Sequence, residues 1–319
     1  MMKKVTILSI VVPVYNEEQS IEPFIEKIQS VCNKIFTKNE QYEVIFVLDP
    51  SSDNTENKIK EFCILNKSIS LMTMSRRFGQ PACTIAGIEN CNGKYCVVID
   101  VDLQDPPELI EELYKKINEG YDVVNAKRRS RAGIGFFYKF ITYLGYKFIN
   151  TFSDTNIPEN TGDFRIFNRK IINHLCNLRE KHNFLRGLVS FIGFKQTSVL
   201  YDRKERYKGS GHYSNFFGSV KIAVNGLVCY SNFLLNFVFW LGLGIAILAC
   251  LLSIFLIINV YFGDRIYPIG LSSIILSVLF IGGVQLISLG IVGQYIARIY
   301  DETKDRPKYI VDKKINFEE

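Results

Sequence analysis

Two stretches without a single charged side chain constrain this chain more than anything else in it. No Asp, Glu, Lys or Arg lies between Lys221 and Asp264, nor between Arg265 and Arg298. Within them, Phe237–Tyr261 and Ile269–Ile291 are dense in Leu, Ile, Val, Phe and Gly. Each exceeds the ~20 residues a helix needs to cross a hydrocarbon core, and buried helices of soluble cores rarely run so long uncharged. The pattern predicts a hairpin of two transmembrane helices. The loop between them, 262–268, carries one Asp and one Arg. Lys195, Arg203, Lys204, Arg206, Lys208 and Lys221 precede the pair, and Arg298, Lys304, Arg306, Lys308, Lys313 and Lys314 follow it. The positive-inside rule then places both termini in the cytoplasm, as a multi-pass protein of the inner (cytoplasmic) membrane.

Ahead of the hairpin the chemistry is that of an α/β domain. Apolar runs at 7–14, 42–48, 69–74, 95–99 and 122–126 read as strands, with helical patterns at 21–36, 54–66, 81–91 and 107–119 between them. Such alternation predicts a mostly parallel sheet, and open sheets of that kind bind ligands at the carboxyl ends of their strands. Polar clusters fall at those ends: Tyr15-Asn16-Glu17-Glu18, then Asp49-Pro50-Ser51-Ser52-Asp53, then Asp100 to Asp105. Singly, each is also what a turn and helix cap would look like, with Ser51, Ser52 or Asp53 suited to an N-cap.

The third cluster, Asp100-Val101-Asp102-Leu103-Gln104-Asp105-Pro106-Pro107, is the densest. Carboxylates this close repel unless a cation lies between them, and oxygen-only ligands favour Mg²⁺ or Mn²⁺ over zinc. If the chain stays extended, alternate residues face one way and Asp100, Asp102 and Gln104 converge on one point. A plainer alternative is a strand-to-helix turn with Asp105 as N-cap and Pro106 at the first helical position.

Beyond Ala126 the chain turns basic, through Lys127-Arg128-Arg129-Ser130-Arg131. Next comes 136–150, either a core helix or an amphipathic helix in the membrane interface. A second basic stretch, 203–212, precedes the weakly polar 216–232. A basic loop beside an acidic metal site, near a membrane, is suited to receive a lipid phosphate. The formal charge of +6 is modest and clusters near the predicted hairpin, which favours anionic lipid or phosphate over nucleic acid as partner. Eight cysteines without a Cys-x-x-Cys pair, and three histidines, argue for free thiols in a reducing compartment and against zinc. The expected organisation is a cytoplasmic domain over 1–212, a juxtamembrane amphipathic segment over 213–235, the hairpin over 236–297 and a cytoplasmic tail over 298–319. Glycines 242, 244, 282, 283, 290 and 293 would pack either the two spans or a homo-oligomer.

In combination the motifs resemble the polyprenyl-phosphate glycosyltransferases of the family-2 class, nearest to bactoprenol glucosyltransferases and dolichyl-phosphate mannose synthases. The matching residues are Val11-Val12-Pro13-Val14-Tyr15-Asn16-Glu17-Glu18, Asp49-x-Ser51-x-Asp53-x-Thr55 and Ser75-Arg76-x-Phe78-Gly79, followed by the Asp100–Pro107 run. Lys127-Arg128-x-x-Arg131, Gly162-Asp163-Phe164-Arg165, Phe184-Leu185-Arg186-Gly187 and Arg306-Pro307-Lys308-Tyr309-Ile310 complete the set, in order, from about residue 5 to 312. The resemblance implies a GT-A fold and inverting transfer of a sugar, with glucose from UDP-glucose the favoured donor, to a polyprenyl phosphate such as undecaprenyl phosphate. By similarity, Pro13, Tyr15, Glu17 and Asp49 would hold the nucleotide, with Asp100 near the ribose or uracil. Asp102 and Gln104 would ligate the metal. Arg128, Arg131, Arg165 and Arg206 would hold the acceptor phosphate. Asp163 would be either a general base or an orienting partner of Arg165 or Arg128.

The chain departs from the family pattern at three points. Leu48 stands where an acid or Asn is usual, Asp49-Pro50-Ser51 replaces Asp-Gly-Ser, and Gly209-Ser210-Gly211-His212 lacks the customary lysine. Proline cannot take the positive φ open to glycine, and His212 is largely neutral near pH 7 unless a phosphate raises its pKa. Processive polysaccharide synthases share the donor half but carry Gln-x-x-Arg-Trp, and the one tryptophan here, Trp240, lies inside the first apolar stretch. The sugar itself is not legible: galactose, N-acetylhexosamine, amino-arabinose or mannose from GDP-mannose would use the same motifs. A non-catalytic adaptor would have no need of the Asp100–Gln104 set.

Overall fold

The computed structural model describes residues 6–36, 41–129, 161–178, 180, 185–203, 233–262 and 270–317. The described chain divides into two compact units. One holds everything up to Arg203 together with the segment from Pro307 onward, and the other holds two long helices.

The first unit is built on one eight-stranded sheet. Its strands are β1 (Leu8–Val14), β2 (Tyr42–Leu48), β3 (Ile69–Met74), β4 (Tyr95–Val98), β5 (Val123–Arg128), β6 (Thr161–Asn168), β7 (Gln196–Tyr201) and β8 (Val311–Ile315). The order across the sheet is β7-β5-β6-β4-β1-β2-β3-β8. β1 pairs in parallel with β2 and β4, β2 with β3, and β5 with β7, whereas β6 and β8 run antiparallel to their neighbours. This is the mostly parallel α/β sheet expected of a GT-A domain.

Both faces are covered, which is why β1 to β4 read as unbroken apolar runs rather than alternating ones. On one face Leu8, Ile10 and Val12 pack with helices α1 (Ile21–Ile35), α2 (Thr55–Leu65) and α4 (Leu109–Asn118). On the other, Val11, Ile45 and Val47 pack with α3 (Gln80–Glu89), α5 (Arg169–Asn177) and α6 (Leu185–Ile192). Helix α3 lies so close that a Cβ on Gly87 would fall 2.2 Å from Val11 Cγ1. Only glycine fits there.

The five strands and four helices expected before residue 127 are all present, with bounds within about two residues. The expected tail is different. The 297/298 boundary falls inside helix α8 (Leu271–Thr303), and the chain then returns to the sheet as β8, paired with β3. Tyr309 donates to Glu89 Oε2 at 2.8 Å, and Ser75 N donates to the Ile310 carbonyl at 2.9 Å. Asn316 Nδ2 donates to the carbonyls of Cys63 and Ile69.

In the second unit, α7 (Phe233–Phe262) has 30 residues and α8 has 33. At ~1.5 Å per residue both outreach a ~30 Å hydrocarbon core. Large apolar side chains along them are exposed, among them Trp240 at 66% and Leu286 at 72%. Water does not tolerate apolar surface on this scale. Among the described residues, Phe280–Thr303 is long and apolar enough to cross a membrane, and none of its most apolar window is buried. A Cβ on any of the six glycines of these helices meets nothing within 4 Å among the described residues.

Candidate active site

The site gathers at the carboxyl ends of β1, β2 and β4. The first two loops are knitted together by their own polar groups. Asn16, at φ 53, donates its amide to Ser51 Oγ at 3.0 Å, and its side-chain oxygen accepts from Ser52 N at 2.9 Å. Glu17 N donates to Thr55 Oγ1, Glu18 N to Asp53 Oδ2, and Asn54 N to Glu18 Oε2. Asp53 also accepts from the amide and hydroxyl of Thr55. It is therefore a clasp between loops rather than an N-cap, a position that falls to Asn54. The Pro50 variant of the motif keeps this clasp closed through Ser51 and Ser52.

Asp49 is buried, and both its oxygens accept backbone amides, from Phe78 at 3.0 Å and Gly79 at 2.8 Å. Gly79 sits at φ 92 at the N-terminus of α3, a conformation open to glycine without strain. That turn presents three side chains. The Arg77 guanidinium stacks 4.0 Å over the Tyr15 ring, Arg76 lies 4.0 Å over Phe78, and Gln80 Nε2 donates to Asp100 Oδ1 at 2.7 Å. Glu17 accepts from Ser20 Oγ at 2.9 Å, and Pro13 is buried in β1 beyond Val11, the last residue paired with β4. A proline there costs the ladder little.

The acidic run is not extended. β4 ends at Val98 and residues 101–105 form a turn, with Leu103 at φ 59 and its side chain buried. The simple alternation expected of Asp100, Asp102 and Gln104 does not apply, because a left-handed residue between the two predicted metal ligands reverses the chain. That conformation costs a leucine about 1–3 kcal/mol and persists where the surroundings enforce it. Asp102 Oδ1 accepts the Gln104 amide at 3.1 Å, which fixes the carboxylate against the turn. Asp105 does not cap α4 either: Glu108 is the N-cap, and Asp105 is 2% exposed.

Among the described residues no group of three or more His, Cys, Asp or Glu side chains is arranged to hold a metal. The turn offers one nearly buried carboxylate, Asp102, beside the half-buried amide of Gln104. This donor set fits a hard cation such as Mg²⁺ or Mn²⁺, which takes one or two carboxylates and completes its shell with substrate phosphates and water. Electrostatics agree. Burial, then the charges of Asp163, Asp102 and Asp105, push the Asp100 carboxyl up to about 7 against the opposing pull of Arg203. Asp163 and Asp105 have arginine partners, Arg186 at 2.9 Å and Arg203 at 3.3 Å, and the mutual repulsion still raises Asp100.

Positive charge arrives from β6, α6, β5 and β7. Asp163 Oδ1 accepts from Arg186 Nε at 2.9 Å. Burial would raise the Asp163 carboxyl, but Arg186, Arg165 and Arg128 outweigh it and hold it below the usual range. Arg165 does not open toward an acceptor. It is 2% exposed, its Nη2 donates to the Gly162 carbonyl at 2.6 Å, and burial lowers its pKa to about 10. Its charge acts electrostatically on Asp163. Arg128 donates from Nε to the Tyr201 hydroxyl at 3.2 Å, with Nη2 3.8 Å from Asp105.

Arg131, Arg206 and His212, and the helix expected at 136–150, lie outside the described residues, as do the 213–232 segment and the 263–269 loop. The sequence alone gives no site role to Arg77, Gln80, Arg186 or Tyr201, and offers Arg203 only as part of the basic stretch 203–212. Arg77 and Arg186 lie within the quoted motifs, whereas Tyr201 enters through the β5–β7 pairing and Arg203, just past β7, through its 3.3 Å contact with Asp105.

Comparison with known proteins agrees with this geometry. Residues 9–176 match the model of Glycosyl transferase family 2. The chain is 39% identical over 304 residues to the uncharacterized glycosyltransferase sll0501 of Synechocystis, covering 95% of this chain and 94% of that one. It is 40% identical over 310 residues to the uncharacterized glycosyltransferase YkcC of Bacillus subtilis, covering 97% and 94%. Against the SfII prophage-derived bactoprenol glucosyl transferase of Shigella flexneri it is 36% identical over 307 residues, covering 96% and 97%. With a family model spanning more than half of it and relatives matched end to end, the chain belongs to glycosyl transferase family 2.

Proposed function

We propose that this protein is a membrane-anchored, metal-dependent glycosyltransferase that moves glucose from UDP-glucose, with inversion, onto undecaprenyl phosphate at the cytoplasmic face. The observation that carries this reading is the meeting, at one end of the sheet, of a carboxylate-amide turn with an arginine-rich wall. One half suits a nucleotide diphosphate and its cation, and the other suits an incoming phosphate. The relative named bactoprenol glucosyl transferase, matched over nearly its whole length, supports the lipid acceptor and the sugar.

In this mechanism Tyr15, Arg77, Glu17 and Asp49 shape the nucleotide pocket, Asp49 by anchoring the 78–79 turn. Asp100, Asp102 and Gln104 face the diphosphate, and Asp102 with Gln104 would hold Mg²⁺ or Mn²⁺. A cation there supplies stabilisation of the charge that develops on the departing nucleotide. The acceptor phosphate has a second pKa of about 6, so it attacks largely as a dianion and needs alignment more than deprotonation. Asp163, held ionised by arginines, is a weak base and a strong orienting group. Its part is to fix Arg186 beside the reacting phosphate.

Connectivity supports the hairpin reading. The chain leaves the α/β unit after β7 and rejoins it as β8, so it crosses any membrane an even number of times. If α8 spans, α7 spans too. The positive flanks then place the site and both termini in the cytoplasm, with the α/β domain before the hairpin and the post-hairpin segment returned to the sheet.

The test is transfer by purified protein from radiolabelled UDP-glucose, UDP-galactose, UDP-N-acetylhexosamines, UDP-amino-arabinose and GDP-mannose to undecaprenyl phosphate, with Mn²⁺, Mg²⁺ or EDTA. Label from UDP-glucose in the lipid fraction, lost with EDTA, is expected. Label from another donor would replace the sugar, and EDTA-resistant transfer would remove the metal.

A further inference from the structure

Strands β5 and β7 run side by side with Arg128 opposite Tyr201. The Tyr201 hydroxyl donates to Asp105 Oδ1 and accepts from Arg128 Nε. Asp105 also lies 3.3 Å from Arg203 Nε and 3.8 Å from Arg128 Nη2. A carboxylate 2% exposed is costly unless paired, and this one is served by a hydroxyl and two guanidinium groups. The tighter contact of each arginine is at Nε, to Tyr201 for Arg128 and to Asp105 for Arg203, and Arg128 adds a looser 3.8 Å contact from Nη2. A guanidinium carries five N–H donors, so donors remain on each for a phosphate. The Arg203 side chain keeps 31% of its surface exposed and that of Arg128 18%, so neither is sealed into the fold.

We propose that Asp105 and Tyr201 are positioning residues that hold Arg128 and Arg203 as a paired clamp for the acceptor's phosphate, with Arg203 its second ligand. The clamp rests on the polyprenyl-phosphate acceptor proposed above. Its location suits the task. Asp105 lies on the same turn as Asp102 and Gln104, so one short segment fixes the cation's ligands at one end and the arginines at the other. Donor diphosphate and acceptor phosphate are then registered against a single rigid element. Positioned charge of this kind lowers a barrier because no reorganisation is needed at the moment of reaction. Arg203 and Asp163 both act electrostatically on Asp100, which brings the clamp and the Asp163–Arg186 pair to the same site.

The experiment is equilibrium binding of ³²P-labelled undecaprenyl phosphate to the full chain in detergent micelles, with UDP plus Mn²⁺ as reference ligand. Arg203→Ala and Asp105→Asn are expected to weaken lipid binding at least ~10-fold, and Tyr201→Phe about threefold, as for loss of a charged and a neutral hydrogen bond. UDP binding should stay within about twofold throughout, a change too small for a lost hydrogen bond. Arg203→Lys keeps the charge without the Nε contact and should recover less than half of the loss. Unchanged lipid affinity in Arg203→Ala overturns the clamp, and so does tighter binding in Asp105→Asn, which would make Asp105 a competitor of the phosphate. Equal losses for lipid and UDP would reveal a folding role and overturn it too. If the parent protein binds undecaprenyl phosphate no better than undecaprenol, the acceptor reading falls and takes the clamp with it. Preference for the phosphate in the parent, with unaltered variants, removes the clamp alone.

Discussion

Asp163 keeps the company of three arginines, and that decides what it can do. A carboxylate held below its usual range gives up its charge only in strong acid, so it is poorly matched to take a proton near neutrality. The acid limb of the rate profile should therefore belong to the acceptor phosphate, with activity rising through about pH 6 as the dianion forms. Asp163→Asn should lower kcat by about 100-fold through loss of Arg186 alignment, yet keep the same midpoint. A limb that vanishes in this variant would restore the general-base role. Asp102→Ala should abolish metal-dependent transfer while the protein remains folded by circular dichroism. Full activity in that variant would remove the cation from the mechanism.

At the scale of elements, two contacts hold the site's scaffold in place. Gly87 lets α3 sink onto β1, and α3 begins at the turn whose amides hold Asp49. Gly87→Ala should cost about 1–3 kcal/mol by overpacking, and Val11→Ala in the same chain should return part of it. Thermal melts of the single and double variants check this, and simple additivity would contradict it. The returning strand β8 ties Ile310 to Ser75 just before that same turn. Tyr309→Phe, which loses the Glu89 contact, should lower Tm by about 2–4 °C. The central elements were legible in the sequence because strands buried on both faces are continuous apolar runs. β8 was not. Its sequence, Val-Asp-Lys-Lys-Ile, is what an edge strand half open to water needs, and it reads as a charged tail. The crowding of carboxylates at 100–105 was legible from composition. The backbone course of that turn was not, because nothing in Val101-Asp102-Leu103-Gln104 announces a leucine at positive φ.

The whole molecule is a catalytic sheet with a pair of long apolar helices inserted between its seventh and eighth strands. The segment after the second long helix returns to the sheet as β8, which is what the proposed two-span hairpin requires. A reporter that is active only outside the cytoplasm, fused within 263–269, should be active, and one fused after Glu319 should be silent. The reverse pattern would invert the topology. The most direct test of the central claim is label from UDP-[¹⁴C]glucose entering undecaprenyl phosphate, measured with Mn²⁺ for the parent protein and Asp102→Ala. Lipid-linked label in the parent, absent in the variant and absent from the parent in EDTA, is the predicted result. No lipid-linked label from folded parent protein, or equal label in the variant, would contradict it.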